Sequence, residues 1–146
     1  MDSDKGMNIL CMPFEKRVYG VEFSYVAEIC SNIQVSAVPC LPPEFLGVYN
    51  YKGTIIPVLD LGNTTADLSG GRLVMPVIKY GKYMLGILCK EEPFILSGRD
   101  ALRVKAPDEA SISDIWRCKD AYKYDGGLCL VIDVKRSVEA ILALSK

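Results

Sequence analysis

The chain has 146 residues, 50% of them hydrophobic, with 17 basic and 18 acidic side chains and a formal net charge of −1. A chain this long buries roughly 70% of its unfolded surface and can hold a domain together without staples; its apolar share excludes disorder, and its interspersed charge gives no footprint for nucleic acid. It contains no histidine, which removes histidine triads, histidine metal ligands and histidine phosphotransfer, and no apolar run reaches the length that spans a membrane.

The first apolar run is Asn8 to Phe14, followed by a polar break at Glu15-Lys16. Arg17 to Phe23 alternates with a period of two, which predicts a second strand with one wet face. Ser24 can cap a helix, and Val26, Ile29 and Cys30 fall at helical spacing, so a short helix is predicted over Tyr25 to Cys30. Ile33, Val35 and Ala37 then lead as an extended segment into Pro39, Pro42 and Pro43. The apolar runs Phe45 to Tyr51 and Thr54 to Leu61 flank Lys52-Gly53; two runs about a two-residue break ending in glycine predict a β-hairpin. Pro57 lies inside its second strand and predicts an edge or a bulge there, because proline brings no amide donor.

Gly62 to Gly71 is polar and glycine-rich, a loop and the candidate transition between two lobes. Leu73 to Lys79 and Tyr83 to Cys89 form a second hairpin about Tyr80-Gly81-Lys82, with Pro76 again marking an edge or bulge. Phe94 to Leu96 is one more short strand, and Ser97 to Ser111 reads as loop. Ile112 to Ala121 is ambiguous, with Trp116 partly buried. Tyr124-Asp125-Gly126-Gly127 is a third turn, leading into the strand Leu128 to Ile132. Val134 to Leu144 repeats apolar residues at helical spacing with no proline or glycine, a helix. Nine or ten short strands with turns every eight to twelve residues make a mainly β chain, and helices that do not alternate with strands argue against a parallel sheet.

Chemistry is sparse. The six cysteines, at 11, 30, 40, 89, 118 and 129, include no CxxC pair, so zinc and redox motifs are unsupported. Met1 to Gly6 is polar and gives no secretory segment, so the thiols are read as free, mostly core, in a reducing cytoplasm. Gly70-Gly71-Arg72 precedes a strand, not a helix, and lacks the amide cluster of a phosphate loop. Asp60 and Asp133 close strands and read as loop-capping carboxylates rather than an acid/base couple. Cys40 is the one candidate nucleophile, and without histidine its activation would need a lysine or a helix N-terminus. No cofactor, metal or catalytic constellation is called for, and no enzyme is expected.

The stretch PPEFLGVYNYKGTIIPVLDL resembles the signature of the CheW-like chemotaxis coupling-protein family, through Pro43, Phe45, Leu46, Gly47, Val48, Asn50, Gly53, Pro57, Val58, Asp60 and Leu61. YGVEFSYVAEI upstream, Leu85-Gly86-Ile87 and the strand and helix from Leu128 also fit. The resemblance implies one CheW-like domain over residues 1–146, built as two intertwined five-stranded SH3-like barrels with a short helix and a C-terminal helix packing back. It implies a non-catalytic cytoplasmic adaptor that couples the cytoplasmic tips of chemoreceptors to the regulatory domain of a CheA-type histidine kinase, with neither nucleic acid binding nor membrane insertion.

Carried over residue by residue, the resemblance implies a kinase interface of Glu28, Phe45, Leu46 and Lys52, and a receptor groove of Val26, Val74 and Ile95. Glu28 and Lys52 fall where the family places an acid and a base, and an ion pair between them is expected. Leu46 is expected on the exposed side of its strand, as an apolar contact between barrels. The chain departs from the family at Lys52, where the family has arginine, and at Cys89-Lys90-Glu91-Glu92-Pro93, where an acid has become a base and proline has entered. That second departure motivates an alternative, a kinase-binding scaffold without a receptor; a small enzyme centred on Cys40 is the alternative of another class.

Overall fold

The computed structural model describes residues 7–14, 17–39, 42, 45–61, 73–106 and 115–144. The first two strands, β1 (Asn8–Phe14) and β2 (Arg17–Glu22), pair antiparallel. A 3-10 turn over Phe23–Tyr25 leads into β3 (Val26–Ser31). The hairpins β4 (Phe45–Tyr51) with β5 (Thr54–Leu59), and β6 (Val74–Tyr80) with β7 (Tyr83–Ile87), follow. Then come β8 (Phe94–Ser97), β9 (Leu102–Val104), the hairpin of β10 (Cys118–Tyr124) and β11 (Gly127–Ile132), and the helix α1 (Val134–Leu144). The strands form a six-stranded sheet, β8-β1-β2-β11-β10-β9, and a five-stranded sheet, β3-β6-β7-β5-β4.

Alternation along the strands divides the apolar residues among three cores. Ile9 and Cys11 of β1 and Cys129 and Val131 of β11 fill the inside of the six-stranded lobe. Ile56 and Val58 of β5 and Met75 and Val77 of β6 fill the five-stranded lobe. The residues of opposite parity, Met12, Leu130 and Ile132 on one side and Leu59, Ile78, Leu85 and Ile87 on the other, meet in a core shared by both lobes, which Val134, Val138 and Ile141 of α1 also enter. Strands with both faces covered carry continuous apolar runs, which is why β1 and β11 read as unbroken hydrophobic stretches.

The chain changes sheet after β2 and again after β7, so the five-stranded lobe is one continuous segment set inside the other. Gly62 to Gly71 lies outside the described residues; the strands on either side of it, β5 and β6, belong to the same sheet.

Three expectations are corrected. Tyr25 to Cys30 is not a helix: Val26–Ser31 is a strand paired along β6. The β-branched Val26 and Ile29 suit a pleated surface, and β6 supplies main-chain partners that outweigh a spacing compatible with either structure. Ser24 caps nothing, because the preceding turn begins at Glu22 with no side-chain cap. Within Ser97 to Ser111, a 3-10 turn at Gly98–Asp100 and the edge strand β9 replace part of the predicted loop; Leu102 and Arg103 are both exposed, so no alternation of burial marks β9. That strand also raises the count to eleven among the described residues. The prolines need a further correction: Pro57 and Pro76 lie in the interior strands β5 and β6, not on an edge or at a bulge, and they are accommodated because β7 joins β5 only at Val58 and Leu59 and joins β6 only from Val77 onward.

Candidate functional site

The hairpin tip between β4 and β5 is built by its own sequence. Lys52 and Gly53 both take positive φ, 50° and 89°, the pairing that a two-residue turn between twisted strands requires. Asn50 reinforces it by accepting the Gly53 amide on Oδ1 at 2.9 Å. Glycine carries its conformation without penalty, while lysine adopts its own against the steric preference of an L-residue.

The tip reaches across to β3. β3 and β4 are the two edges of the five-stranded sheet, and the sheet curls until those edges face one another. Lys52 Nζ lies 2.9 Å from Glu28 Oε1, the ion pair expected from the sequence. The Tyr51 hydroxyl donates to the same oxygen at 3.1 Å, and the Cys30 thiol faces Glu28 Oε2 at 3.8 Å. The Lys52 ammonium also stands 5.3 Å from the centre of the Tyr51 ring, within cation–π range. The Lys52 hydrogen bond, then that of Tyr51, holds the Glu28 carboxyl below its ordinary range, and Glu28 in turn raises Lys52. Further along the seam, Ser36 and Val48 exchange main-chain hydrogen bonds at 2.9 Å. Side chains at one end and a single main-chain bridge at the other thus close the barrel.

Phe45 and Leu46 stand at the far end of β4 from this cluster. Phe45 packs against the shared core and lines an apolar groove of about 630 Å³ between the hairpin, β7 and α1, together with Ile55, Tyr83, Leu142 and Leu144. Leu46 is half-buried against the core of the five-stranded lobe, where an exposed side was expected. The reason is a bulge: Phe45 pairs with Leu59 and Gly47 with Val58, so Leu46 is the extra residue and the simple alternation breaks there.

Val26 and Val74 lie at opposite ends of one ladder, and Ile95 lies on the other sheet. Val26 opposes Ile78 and packs toward the shared core, while Val74 opposes Ser31 at the other end of the same ladder. Four residues of strand separate these positions on β6, roughly 13 Å. Ile95 is 56% exposed on β8, an edge of the other sheet.

Among the cysteines, burial pushes the Cys89 thiol up to about 12 and the Cys118 thiol to about 11, and Cys30 and Cys129 are raised as well. Raised thiols are poor nucleophiles. Cys40 lies outside the described residues. Asp133 accepts the Arg136 amide at 3.1 Å and so caps α1, and Asp60 is buried beside Trp116, whose indole donates to the Asp60 carbonyl.

The CheW-like domain model matches residues 8–141. The chain belongs to the CheW-like domain family. That family is one of non-catalytic scaffolds in chemotaxis signalling. No curated protein sequence matches the chain. Among solved structures it is similar to the scaffolding protein TtCheW from Thermoanaerobacter tengcongensis, with a TM-score of 0.69, 18% identity, and coverage of 88% of this chain and 89% of that one; at that identity the likeness bears on the fold.

Tyr51 is the member of the cluster that sequence reasoning missed. It lies 23 residues from Glu28 on the opposite sheet edge, and only closure of the barrel brings the two together. The visible signal was an aromatic donor beside the turn lysine.

Proposed function

We propose that this protein is an adaptor that couples chemoreceptors to a CheA-type histidine kinase, docking the kinase regulatory domain on the surface around Glu28 and Lys52, with Phe45 and Leu46 extending it along β4. The observation that carries this reading is the Glu28–Lys52 pair, 2.9 Å apart, which fixes a charged hairpin tip on the rim of a barrel. Such a tip suits a partner that is itself a folded domain, since charges at a rim set register and partner choice. The reading places the protein in the cytoplasm, beside the kinase; no helix among the described residues is long and apolar enough to cross a membrane. Co-purification with the regulatory domain of a CheA-type kinase tests it. The unmutated chain is expected to bind and Lys52→Glu to bind much less, and absence of binding by the unmutated chain would sink the proposal.

A second reading, a scaffold that holds the kinase without a receptor, is favoured by the placement of Val26 and Val74 at opposite ends of one ladder. A pull-down with a chemoreceptor cytoplasmic tip decides between them: retention supports coupling, and loss with kinase binding intact supports the scaffold.

A further inference from the structure

A lysine at a hairpin tip is a loosely held charge. Its ammonium ends a flexible four-carbon stem and carries three rotatable donors, whereas an arginine fork arrives in a fixed plane and can engage a carboxylate with two parallel bonds. The Lys52 side chain is 70% exposed, so packing does little to fix it. Two things do. Glu28 Oε1 accepts from Lys52 at 2.9 Å and from the Tyr51 hydroxyl at 3.1 Å, and the Tyr51 ring lies under the ammonium at 5.3 Å. Tyr51 therefore supplies the second hydrogen bond that a guanidinium would give with its other arm, and a surface on which the charge rests.

We propose that Tyr51 is the positioning residue that fixes Lys52 across the seam between β3 and β4, by sharing Glu28 Oε1 with it and by lying under its ammonium. The inventory of the tip supports this. Glu28 is turned toward donors of its own chain, Lys52, Tyr51 and Cys30. Asn50 spends its oxygen on the Gly53 amide. Lys52 keeps two N–H donors beyond the one given to Glu28.

The test uses three proteins: the unmutated chain, Tyr51→Phe, and Tyr51→Phe with Lys52→Arg. Phenylalanine keeps the ring that packs against the five-stranded core, so an unchanged melting temperature confirms intact folding. In the isolated proteins, the Glu28 carboxyl is followed by carbon-detected NMR titration. Tyr51→Phe is expected to raise its midpoint toward the ordinary 4.5, and arginine at position 52 to lower it again. With the kinase regulatory domain, Tyr51→Phe is expected to weaken binding roughly threefold to tenfold, the scale of one hydrogen bond to a charged group at an exposed site, and Lys52→Arg to restore it. A Glu28 midpoint that ignores Tyr51→Phe, or an arginine that fails to rescue, overturns the proposal. The binding arm rests on the kinase-coupling reading, and the titration does not. A regulatory domain that ignores the unmutated chain refutes that reading, while the Glu28 midpoint still decides the role of Tyr51.

Discussion

Trp116 donates its indole N–H to the main-chain carbonyl of Asp60 at 2.8 Å. The two residues belong to different lobes: Asp60 follows β5, and Trp116 precedes β10. Both are buried, with Trp116 4% exposed, so the bond lies in the shared core where a lost partner is not replaced by water. Trp116→Phe is expected to cost about 1–3 kcal/mol through the lost indole hydrogen bond and the lost volume, read as a lower urea midpoint.

Gly47 is fixed by a close approach. A Cβ there would stand 2.4 Å from the Ser36 carbonyl oxygen, and the backbone of Ser36 is held by its bridge to Val48. Neither side can yield without opening the seam. Gly47→Ala is expected to destabilise by about 1–3 kcal/mol, and the slowest-exchanging amide affected should be that of Val48. An unchanged melting temperature would refute this account.

Lys52 holds a left-handed backbone conformation, φ 50°, that asparagine tolerates better. Lys52→Asn is expected to raise the melting temperature by roughly 2–4 °C while abolishing the link to Glu28. The same variant should bind the kinase regulatory domain less well, so stability and function would move in opposite directions at one residue.

The Glu28–Lys52 pair sets its own pH window. Glu28 is held below the ordinary carboxylate value of 4.5, so its contribution is present above that value and fades as pH falls through the folded value. Lys52 is raised above the ordinary 10.5, so its contribution is complete below that value and fades as pH rises through the folded one. Between 4.5 and 10.5 the link should be constant. The difference in stability between the unmutated chain and Glu28→Gln is expected to be flat across that window, small, and diminished by salt.

The thiols of Cys89 and Cys118 offer a check on their burial. Cys89, at about 12, and Cys118, at about 11, should resist iodoacetamide at neutral pH in the folded protein and react freely after denaturation. Rapid labelling of either in the native state would contradict their burial.

Much of the fold was legible because local chemistry and tertiary structure agree. Lys52-Gly53 marked a turn by the φ values it needs, and the helix Val134–Leu144 was bounded by its spacing and by the absence of glycine and proline. The failures share a cause. Val26 to Ser31 has a spacing that fits helix or strand, and only pairing with β6, a strand more than 40 residues later, selects the strand. Leu46 is half-buried rather than on a fully exposed face because a bulge interrupts the period of two, and nothing at that residue announces it. Glu28 and Lys52 were brought together only through family resemblance. Tyr51 was not found, because its partner lies on the opposite edge of a sheet whose curvature is a property of the whole lobe.

The insertion of one lobe within the other has a mechanical consequence. β1 and β11 flank β2 from opposite sides, with Ile9 opposite Glu22 and Val131 opposite Gly20. Asn8 and Ile132 therefore emerge at the same end of that strand, two strand spacings apart, or about 10 Å. Tension between them peels ladder bonds one after another instead of loading them together. Under such tension the six-stranded lobe is expected to give way before the inserted segment that carries Lys52, an order that single-molecule pulling from Asn8 and Ile132 would read directly.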